Sequence, residues 1–294
     1  MKKIDGVFSV DDLRDAIQDL YTGKSHKQYD CGYEAMKPYF KLIKPSFNLI
    51  TGTPNSGKSS FVADVIMNNA RDHSFKYLIF SPEHSLAVNV KRLCEKFIKK
   101  PFDIMFKNRI NEKELSNSLD FISKHFYFID HADDSPDIDW ILSRCYESAD
   151  YLDVDGIVVD PYNEINPTRN NLREDEHISL LISKIKKFNR ETNTITFMVA
   201  HPNKQIRQAD GRYVVTSAYD ISGSSHWFNK SDTIMIVNRD VDKGLTDFRV
   251  CKVREMNVQG NLGEFNLIWD TSTRSFRDVD DIPLISAKSK KNPF

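Results

Sequence analysis

Short apolar runs alternate with amphipathic stretches over the first two thirds of the chain. The apolar runs have the length of β-strands and lie at Phe47–Thr51, Tyr77–Phe80, Phe126–Ile129, Ile157–Asp160 and Ile195–Ala200. Apolar residues recur at helical spacing in the stretches near 59–71, 85–99, 111–124, 136–149 and 173–190. Strands that alternate with helices of this length predict an α/β fold with a doubly wound, mostly parallel sheet.

The last third of the chain has a different pattern. Three strand-like segments follow one another with turn residues between them and little room for helices: Thr233–Val237, Phe248–Val253 and Glu264–Trp269. Short connections favour antiparallel pairing, so we expect these strands to form a C-terminal antiparallel extension of the same sheet. Residues 281–294, which are polar from Ser286 onward, are expected to form a mobile tail.

The N-terminal segment predicts one short helix, from Ser9 as its cap to about Tyr21. Its apolar positions recur on one face and are Leu13, Ala16, Ile17 and Leu20. The polar stretch Thr22–Tyr29 contains a glycine and has the composition of a linker. The predicted organisation is therefore a helix and linker over 1–28, an α/β domain over 29–280 and the tail over 281–294.

Composition places the chain among globular proteins. Apolar residues make up 40% and charged residues 28% of its 294 residues, which argues against intrinsic disorder. The 41 basic and 42 acidic side chains nearly cancel, so nucleic-acid binding would need a local basic patch. No stretch approaches the ~18 consecutive apolar residues of a membrane span, so we expect no membrane partner.

The cysteines carry information about the compartment. Cys31, Cys94, Cys145 and Cys251 stand far apart and form no Cys-x-x-Cys pair. This spacing favours neither a disulfide framework nor a zinc site. We therefore expect a soluble, intracellular protein in a reducing compartment.

A phosphate-binding loop follows the first predicted strand. Residues 52–59 match the pattern G-x-x-x-x-G-K-[ST] in full: Gly52, Thr53, Pro54, Asn55, Ser56, Gly57, Lys58 and Ser59. The glycines allow backbone N–H groups to surround a β-phosphate, Lys58 reaches the β- and γ-phosphates, and the Ser59 hydroxyl binds Mg²⁺. Because a strand precedes the loop and a helix follows it, we predict that ATP or another nucleoside triphosphate binds here with Mg²⁺.

Two acidic residues follow strands at the same predicted sheet edge. Asp160 ends an apolar run and is the residue type that holds the water shell of Mg²⁺ opposite a phosphate loop. Glu83 stands just beyond Tyr77–Phe80, where ligands bind in doubly wound sheets, and is the candidate general base for an attacking water. The alternatives are an ordinary acidic strand end at Asp160 and a helix-capping role for Glu83.

A histidine and a long loop follow the strand Ile195–Ala200. His201 could contact the γ-phosphate and report hydrolysis to the loop, although a hydrogen-bonded histidine at a strand end is the simpler alternative. The loop Pro202–Ala218 is long for a compact domain, and long loops are usually functional or disordered. It carries several amide and basic side chains and a single acidic one, Asp210.

Six motifs in order make the chain resemble the helicase domain of the DnaB-like hexameric replicative helicases. They are Gly52–Ser59, Ser81–Glu83, Ile157–Asp160, His201–Lys204, Asp220–Ser224 and Lys252–Arg254, followed by Gly260 and Gly263. Within that family the chain is most similar to Twinkle-type helicases and to the helicase half of phage primase–helicases. The resemblance covers roughly residues 29–277 and implies that the predicted sheet is of the RecA-like kind.

The resemblance also implies roles at the nucleotide. Lys58 and Ser59 would bind the triphosphate and Mg²⁺, and Asp160 would hold the metal through water. Glu83 would be the catalytic base and His201 the phosphate sensor. DnaB itself has glutamine at the sensor position, and the histidine form is similar to Twinkle and its phage relatives.

Two cations near the end of the chain would act between subunits. The resemblance implies that Lys252 and Arg254 reach across an interface, with Arg254 as the arginine finger. Residues two apart on a strand share a face, and an arginine supplied in trans is one known source of the cationic stabilisation that phosphoryl transfer needs. Without the other motifs, two solvated charges on an edge strand would be the favoured interpretation.

The long loop would contact DNA. In the family this segment lines the central channel and grips the single-stranded backbone, which implies phosphate-directed contacts from Asn203, Lys204 and Arg207. Gly223 would allow the backbone to approach a phosphate closely. A solvated loop without a ligand is the alternative for any one of these side chains.

These observations predict an ATP-dependent replicative DNA helicase that moves along single-stranded DNA as a ring and unwinds duplex. The expected ring is a hexamer that moves 5′ to 3′ in a bacterial or phage-infected cytoplasm. Its partners would be single-stranded DNA and further copies of the chain, with primase, polymerase or single-strand-binding protein as candidates.

Three other functions stay open. They are a RecA-like recombinase that pairs strands, a nucleotide-gated ring that loads or regulates replication proteins without unwinding, and a small-molecule phosphotransferase. The Lys-x-Arg pair and an intact Glu83 favour the helicase. The chain is too short to include an attached primase and lacks the cysteines of its zinc module, so we expect a stand-alone helicase or a piece of a longer protein.

Overall fold

A computed structural model of the chain describes residues 4, 6–24, 27–130, 136–167, 172–202, 206–207, 213–215, 217–221, 224–240 and 244–279. The strands are β1 (Ser46–Gly52), β2 (Tyr77–Phe80), β3 (Phe126–Phe128), β4 (Gly156–Val159), β5 (Ile195–Val199), β6 (Ile206–Arg207), β7 (Tyr213–Val214), β8 (Thr233–Asp240), β9 (Leu245–Val253), β10 (Gly263–Asp270) and β11 (Ser275–Asp278). The α-helices are α1 (Arg14–Tyr21), α2 (Lys58–His73), α3 (Leu86–Ile98), α4 (Glu112–His125), α5 (Ile138–Leu152), α6 (Glu174–Thr192), α7 (Ser224–Lys230) and α8 (Met256–Gln259). Short 3-10 helices cover Asp11–Leu13, Tyr162–Glu164 and Ala218–Asp220.

One nine-stranded sheet has the order β11-β10-β9-β8-β1-β5-β4-β2-β3. The six strands from β8 to β3 run parallel, and β9, β10 and β11 continue beyond β8 as antiparallel strands. Helical connections allow strands to run parallel, whereas the short connections after β8 return the chain antiparallel. The predicted doubly wound, mostly parallel sheet with an antiparallel C-terminal extension is confirmed.

Both faces of the sheet are covered, because successive strand residues point to opposite sides. In β4, Val158 packs with the cluster that holds α2, α3 and α4, while Ile157 and Val159 pack with the cluster that holds α5, α6 and α7. Strands buried on both faces consist of nearly continuous apolar residues, which is the pattern that made them recognisable in the sequence.

Several elements differ from the prediction. The strand β11 and the helices α7 and α8 were not predicted, since segments of four to seven residues are too short to show a hydrophobic period. The segment Pro202–Ala218 was predicted as a loop throughout, and the structure shows that β6 and β7 pair within it as an antiparallel hairpin. The tail 281–294 lies outside the described residues.

The N-terminal helix is present, and its apolar stripe is exposed. The Ser9 hydroxyl accepts a hydrogen bond from the Asp12 N–H at 3.3 Å, but the residue at the N-cap is Val10 rather than the predicted Ser9. Leu13, Ile17 and Leu20 keep 42%, 48% and 55% of their surface exposed, and α1 buries none of its residues. The division of the chain into three parts stays a prediction.

Two findings bear on the compartment. The four cysteines are free thiols, and three of them are buried. Within the described ranges, no helix combines the length and the apolar character that crossing a bilayer requires. The reducing compartment stays a prediction.

A buried ion pair joins α2, α3 and the start of β11. Lys96 on α3 contacts Asp64 on α2 at 2.9 Å, and their side chains are 2% and 0% exposed. The Lys96 ammonium also donates to the Arg274 carbonyl at 2.8 Å, and the Asp64 carboxylate accepts the Phe276 N–H at 2.8 Å. Burial lowers the pKa of Lys96 even though Asp64 raises it. The pair therefore fixes α2, α3 and the start of β11 relative to one another.

Asp64→Ala should lower the free energy of unfolding by about 3–5 kcal/mol, because the Lys96 ammonium would stay buried without a counter-charge. The double variant Asp64→Leu/Lys96→Met should recover most of this loss. Chemical denaturation measures both. The control is Asp11→Ala, which removes the exposed Arg14–Asp11 pair and should cost less than about 1 kcal/mol. An equal loss for Asp64→Ala and the control would contradict the importance of the buried pair.

Candidate active site

The predicted nucleotide residues lie at one edge of the sheet. The phosphate loop follows β1, Glu83 follows β2, Asp160 follows β4 and His201 follows β5. These four strands are neighbours in the order β1-β5-β4-β2, so their carboxyl ends meet at one edge. Ligands bind in the crevice at this edge in doubly wound sheets.

The phosphate loop is shaped by two glycines with positive φ. Gly52 has a φ of +149°, and a Cβ built on it would lie 1.9 Å from the Val237 carbonyl oxygen of the neighbouring strand. Gly57 has a φ of +96°, and a Cβ there would lie 2.7 Å from the Phe276 ring. Only glycine accepts both the backbone conformation and the close contact at these two positions.

Lys58 is held by the loop that it belongs to. Its ammonium donates to the Gly52 carbonyl at 3.0 Å and to the Thr53 carbonyl at 2.8 Å. Burial lowers the pKa of Lys58 to about 8, against the raising influence of Asp160 and Glu83. Lys58 is also the first residue of α2, where backbone N–H groups and the helix dipole favour an anion.

Ser59 and Asp160 form the candidate metal site. The Ser59 hydroxyl donates to Asp160 Oδ1 at 3.0 Å, which brings a hydroxyl and a carboxylate to the start of α2. Burial raises the pKa of Asp160 to about 6, the hydrogen bond from Ser59 lowers it, and the charge of Glu83 raises it further. A buried carboxylate that resists ionisation is stabilised by a nearby cation. The oxygen ligands and the glycine cradle therefore fit Mg²⁺ and a triphosphate.

Glu83 and His201 lie together on the rim of the site. His201 Nε2 is 3.5 Å from Glu83 Oε1, and both side chains are partly exposed. The backbone N–H of His201 donates to the side-chain oxygen of Asn163 at 2.9 Å, which fixes the end of β5. A carboxylate beside a histidine at this edge can accept a proton from a water molecule.

Two arginines complete the site and were not predicted. Arg92 on α3 and Arg274 before β11 line a cavity of about 50 Å³ together with Ser59 and Asp160. Burial lowers the pKa of Arg92, the charge of Arg274 lowers it further, and Asp160, Glu95 and Glu83 raise it. The Arg92 Nε atom is buried without a hydrogen-bond partner among the described residues. Arg92 sits in an amphipathic helix with no motif around it, so spacing alone could not identify it.

An aromatic surface borders the phosphate loop. The Arg239 guanidinium lies 5.0 Å from the centroid of the Trp269 ring. Trp269 in turn approaches Gly57, where a Cβ would lie 3.7 Å from the ring. The predicted strands in this part of the chain gave no sign of this pair, because Arg239 and Trp269 belong to different strands.

Lys252 and Arg254 lie at the opposite edge of the sheet. Both side chains contact the last carbonyl groups of α7: Lys252 donates to Phe228 and, at 3.0 Å, to Asn229, and Arg254 donates to Asn229 at 3.0 Å. Arg254 also contacts the Asp232 carboxylate at 2.8 Å. Burial lowers the pKa of Lys252 to about 8, and the neighbouring charge of Arg254 lowers it further.

The distance along β8 separates this pair from the phosphate loop of its own chain. Asp232 precedes β8 and donates its N–H to Phe47 at the beginning of β1, whereas Val237 pairs with Gly52 at the end of β1. Five strand residues span about 17 Å. Lys252 and Arg254 lie side by side, as predicted from their spacing, and both contact the Asn229 carbonyl. Their side chains are therefore remote from the nucleotide site of their own chain.

The predicted DNA contacts come from Asn203, Lys204, Arg207 and Gly223. Asn203, Lys204 and Gly223 lie outside the described residues. Arg207 lies in β6, where its backbone pairs with Tyr213 of β7, and its side chain is not described.

The fold and the residues at the carboxyl edge define a P-loop NTPase domain of the RecA-like kind. The chain belongs to the family of the DnaB-like helicase C terminal domain, whose family profile matches residues 30–278. The resemblance stated from the sequence motifs is therefore confirmed.

Individual relatives agree with this family. The Twinkle homolog protein, chloroplastic/mitochondrial, of Arabidopsis thaliana is 33% identical over 290 residues, which are 95% of this chain and 40% of the relative. The chain thus spans less than half the length of that relative. Two solved structures have a TM-score of 0.75 and 18% identity over 94% of this chain: an ATPase domain that is covered in full, and a DnaB-like replicative helicase studied with primase, of which 68% is covered. At this identity they show the fold.

Binding of Mg²⁺ with a nucleotide should weaken as the pH falls below about 6, since protonated Asp160 cannot hold the water shell of the metal. One competing proton predicts about a tenfold loss of apparent affinity per pH unit. Titration of a fluorescent ATP analogue at fixed free Mg²⁺ from about pH 8 to about pH 5 measures this dependence. A flat profile in the wild-type protein would contradict the assignment.

Asp160→Asn is the control and should lack this inflection. The free energy of unfolding depends on pH in the opposite direction to metal binding. Without metal, the folded protein binds a proton at Asp160 between pH 3.8 and about 6 that the unfolded chain does not bind. The contribution of Asp160 to the free energy of unfolding therefore falls as the pH rises through this window.

Proposed function

We propose that this domain is the ATP-driven motor of a replicative DNA helicase, which moves along single-stranded DNA as a ring and unwinds duplex. The observation that carries the proposal is the division of the site between two edges of the sheet. The phosphate loop, Glu83, Asp160 and His201 lie at the carboxyl edge, and Lys252 and Arg254 lie about 17 Å away at the amino edge. Membership in the DnaB-like family supports the proposal.

The chain's own residues can be assigned steps in hydrolysis. Lys58, which donates to two loop carbonyls, would donate to the β- and γ-phosphates of bound ATP, and Ser59 and Asp160 would hold Mg²⁺. The metal would supply positive charge that neutralises the phosphates. Glu83 accepts the proton of the attacking water, and His201, which faces the same carboxylate, senses the γ-phosphate.

The base of the nucleotide has a surface beside the loop. The Trp269 ring, with the Arg239 guanidinium over it, lies next to Gly57, and we place the base of the nucleotide against this pair. Stacking on an aromatic face tolerates any base, so this pair supports binding of ATP or another nucleoside triphosphate.

The cations at the amino edge of the sheet would act on the nucleotide of the next subunit. Arg254 contacts Asp232 and the end of α7, on a part of the surface that its own nucleotide cannot reach. In a ring, each subunit would place Lys252 and Arg254 at the nucleotide of its neighbour, where a cation stabilises the charge of the transition state. A hexamer that moves 5′ to 3′ is the assembly we propose, by analogy with the family.

Single-stranded DNA is the proposed track. Its backbone would be contacted by the segment Pro202–Ala218, through Asn203, Lys204 and Arg207. Gly223, just before α7, would make a further contact. Primase, polymerase and single-strand-binding protein are candidate partners, and one relative with the same fold has been studied with primase.

The function is tested by the ATPase rate with and without single-stranded DNA, and by unwinding of forks that carry only a 5′ or only a 3′ tail. A helicase should show DNA-stimulated hydrolysis and unwinding of one fork type. A recombinase would pair strands without unwinding forks, and a loading ring would hydrolyse ATP without doing either.

Glu83→Gln should bind ATP with nearly normal affinity and lose hydrolysis by orders of magnitude, because it removes a group needed only in the transition state. Lys58→Ala should lose hydrolysis through loss of the phosphate contact. Steady-state ATPase rates and nucleotide titration measure both changes. Glu112→Gln, at an exposed position on α4, is the matched control and should hydrolyse ATP normally. Hydrolysis by Glu83→Gln at the control's rate would show that the base is another residue.

Arg254→Ala should lower kcat by about 10³–10⁵ if it is an arginine finger. Lys58→Ala subunits keep their Arg254, and Arg254→Ala subunits keep their phosphate loop, so mixed rings should contain some complete interfaces and recover ATPase activity. Arg249→Ala is the control: Arg249 is an exposed residue of β9, the strand that Arg254 follows, and this variant should hydrolyse ATP normally without being mixed with another. Co-assembly without recovery of activity would argue against a role in trans.

The N-terminal helix is proposed to hold neighbouring subunits together. Its exposed stripe needs a surface to bury, and a helix this short is marginal in isolation. A candidate surface for this contact lies after α3, where Ile104 and Met105 are 81% and 87% exposed beside exposed basic residues. Aspartates in and before α1 would face those basic residues.

Deletion of residues 1–22 should leave a folded domain that binds ATP but sediments as a monomer with little DNA-stimulated hydrolysis. Burial of three large aliphatic side chains is worth roughly 1.5–3 kcal/mol each at most, so its loss at every interface should be decisive. Ile17→Glu should have the same effect, and the neighbouring Gln18→Glu should not. Sedimentation velocity and ATPase rates measure the outcome. Rings with full activity after the deletion would refute the docking role.

A further inference from the structure

The side chain of Asn238 on β8 makes two hydrogen bonds to a single residue. Its Oδ1 atom accepts the Val215 N–H at 3.1 Å, and its Nδ2 atom donates to the Val215 carbonyl at 2.8 Å. One amide thus satisfies both backbone groups of Val215, as a neighbouring strand would. Val215 is itself buried, so neither of its backbone groups could easily turn to water instead.

Val215 is the root of the hairpin formed by β6 and β7. It follows β7 directly, and β7 pairs with β6 from Ile206↔Val214 to Arg207↔Tyr213. Two residues after Val215, the Ser217 N–H donates to the Asp220 carboxylate at 3.0 Å. Asn238 therefore fixes the point at which the hairpin leaves the body of the domain.

The residues on either side of Asn238 contact the nucleotide site. Val237 pairs with Gly52, the first residue of the phosphate loop, and its carbonyl oxygen is so close that no side chain fits at Gly52. Arg239 lies over the Trp269 ring, which approaches Gly57 at the other end of the loop. Three consecutive residues of β8 thus contact the hairpin root and, through Gly52 and Trp269, both ends of the phosphate loop.

The strand that precedes the hairpin in the chain also ends at the site. His201 follows β5, five positions before β6 begins at Ile206, and its ring is 3.5 Å from Glu83. A displacement of the hairpin can therefore reach the catalytic edge through His201 and the phosphate loop through Asn238. The two routes differ, because the side-chain hydrogen bonds of Asn238 among the described residues go to Val215 and not to a group assigned to hydrolysis.

We propose that Asn238 is a positioning residue that couples the hairpin to the phosphate loop, so that DNA held by the hairpin and nucleotide held by the loop influence each other. This role rests on the proposed function, in which the hairpin segment contacts single-stranded DNA. A tight side-chain-to-backbone clamp transmits a displacement, whereas a loop without it would absorb the displacement. Coupling of this kind is reciprocal: the factor by which nucleotide tightens DNA binding equals the factor by which DNA tightens nucleotide binding.

The test measures that factor in the full chain. The affinity of a fluorescent oligo-dT is measured with and without a non-hydrolysable ATP analogue, and the affinity of the analogue with and without oligo-dT. Coupling factors of about 5- to 150-fold are typical, and Asn238→Ala should reduce the factor to near one in both directions. Unstimulated ATPase should stay within about twofold of wild type while stimulation by DNA is lost.

Two further variants keep the result interpretable. Asn117→Ala makes the same change at an exposed position on α4 and should keep the full coupling factor. Asn238→Asp keeps the side-chain size and the oxygen that accepts the Val215 N–H, but it cannot donate to the Val215 carbonyl. It should therefore lose coupling without leaving a cavity, and it replaces Asn238→Ala in the test if that variant fails to fold.

Full coupling in a folded Asn238 variant would overturn the proposal, and so would a parallel loss of unstimulated hydrolysis, which would indicate general damage to the domain. If DNA changed neither the ATPase rate nor the nucleotide affinity of the wild-type protein, the proposed function itself would be refuted, and with it the role of Asn238.

Discussion

The buried Asp64–Lys96 pair is the constraint on which the geometry of the nucleotide site depends. It connects the helix that begins with Lys58, the helix that follows Glu83, and the turn that carries Arg274. A buried ion pair adds little stability compared with well-packed apolar residues, but its partners cannot separate without leaving an uncompensated charge. The pair thereby fixes the relative positions of α2, α3 and β11, and with them the positions of Ser59, Arg92 and Arg274.

The strand order divides the candidate catalytic residues between two edges of the sheet. Strands β1, β5, β4 and β2 are parallel neighbours, so every group that follows them meets at one edge. Strand β9 runs antiparallel beside β8 and carries Lys252 and Arg254 back to the other edge. A domain built this way presents a phosphate site on one side and cations on the other, and a head-to-tail arrangement of copies would bring the two together. Rotation that closes such an arrangement gives a ring.

The exposed apolar stripe of α1 fits the same logic. A helix of eight residues gains little from its own hydrogen bonds, and the stability of an amphipathic helix comes from the surface that covers it. Leu13, Ile17 and Leu20 have no such cover within the part of their own chain that the structure describes. The exposed helix and the split site therefore both support the proposal that several copies of this domain form the functional unit.

The sequence by itself determined the family and most of the longer strands and helices. Apolar strands and amphipathic helices were recognisable because strands buried on both faces leave continuous apolar runs, and the phosphate loop because its glycines and lysine are required at fixed spacing. What only the tertiary structure decided are contacts between residues far apart in the chain. Arg92 beside Asp160, Arg239 over Trp269 and Asn238 on Val215 have no motif, since each depends on which strands and helices become neighbours. The separation of Arg254 from its own phosphate loop has the same origin: the spacing of Lys252 and Arg254 predicted a shared face, but the edge of the sheet at which that face lies follows from the strand order.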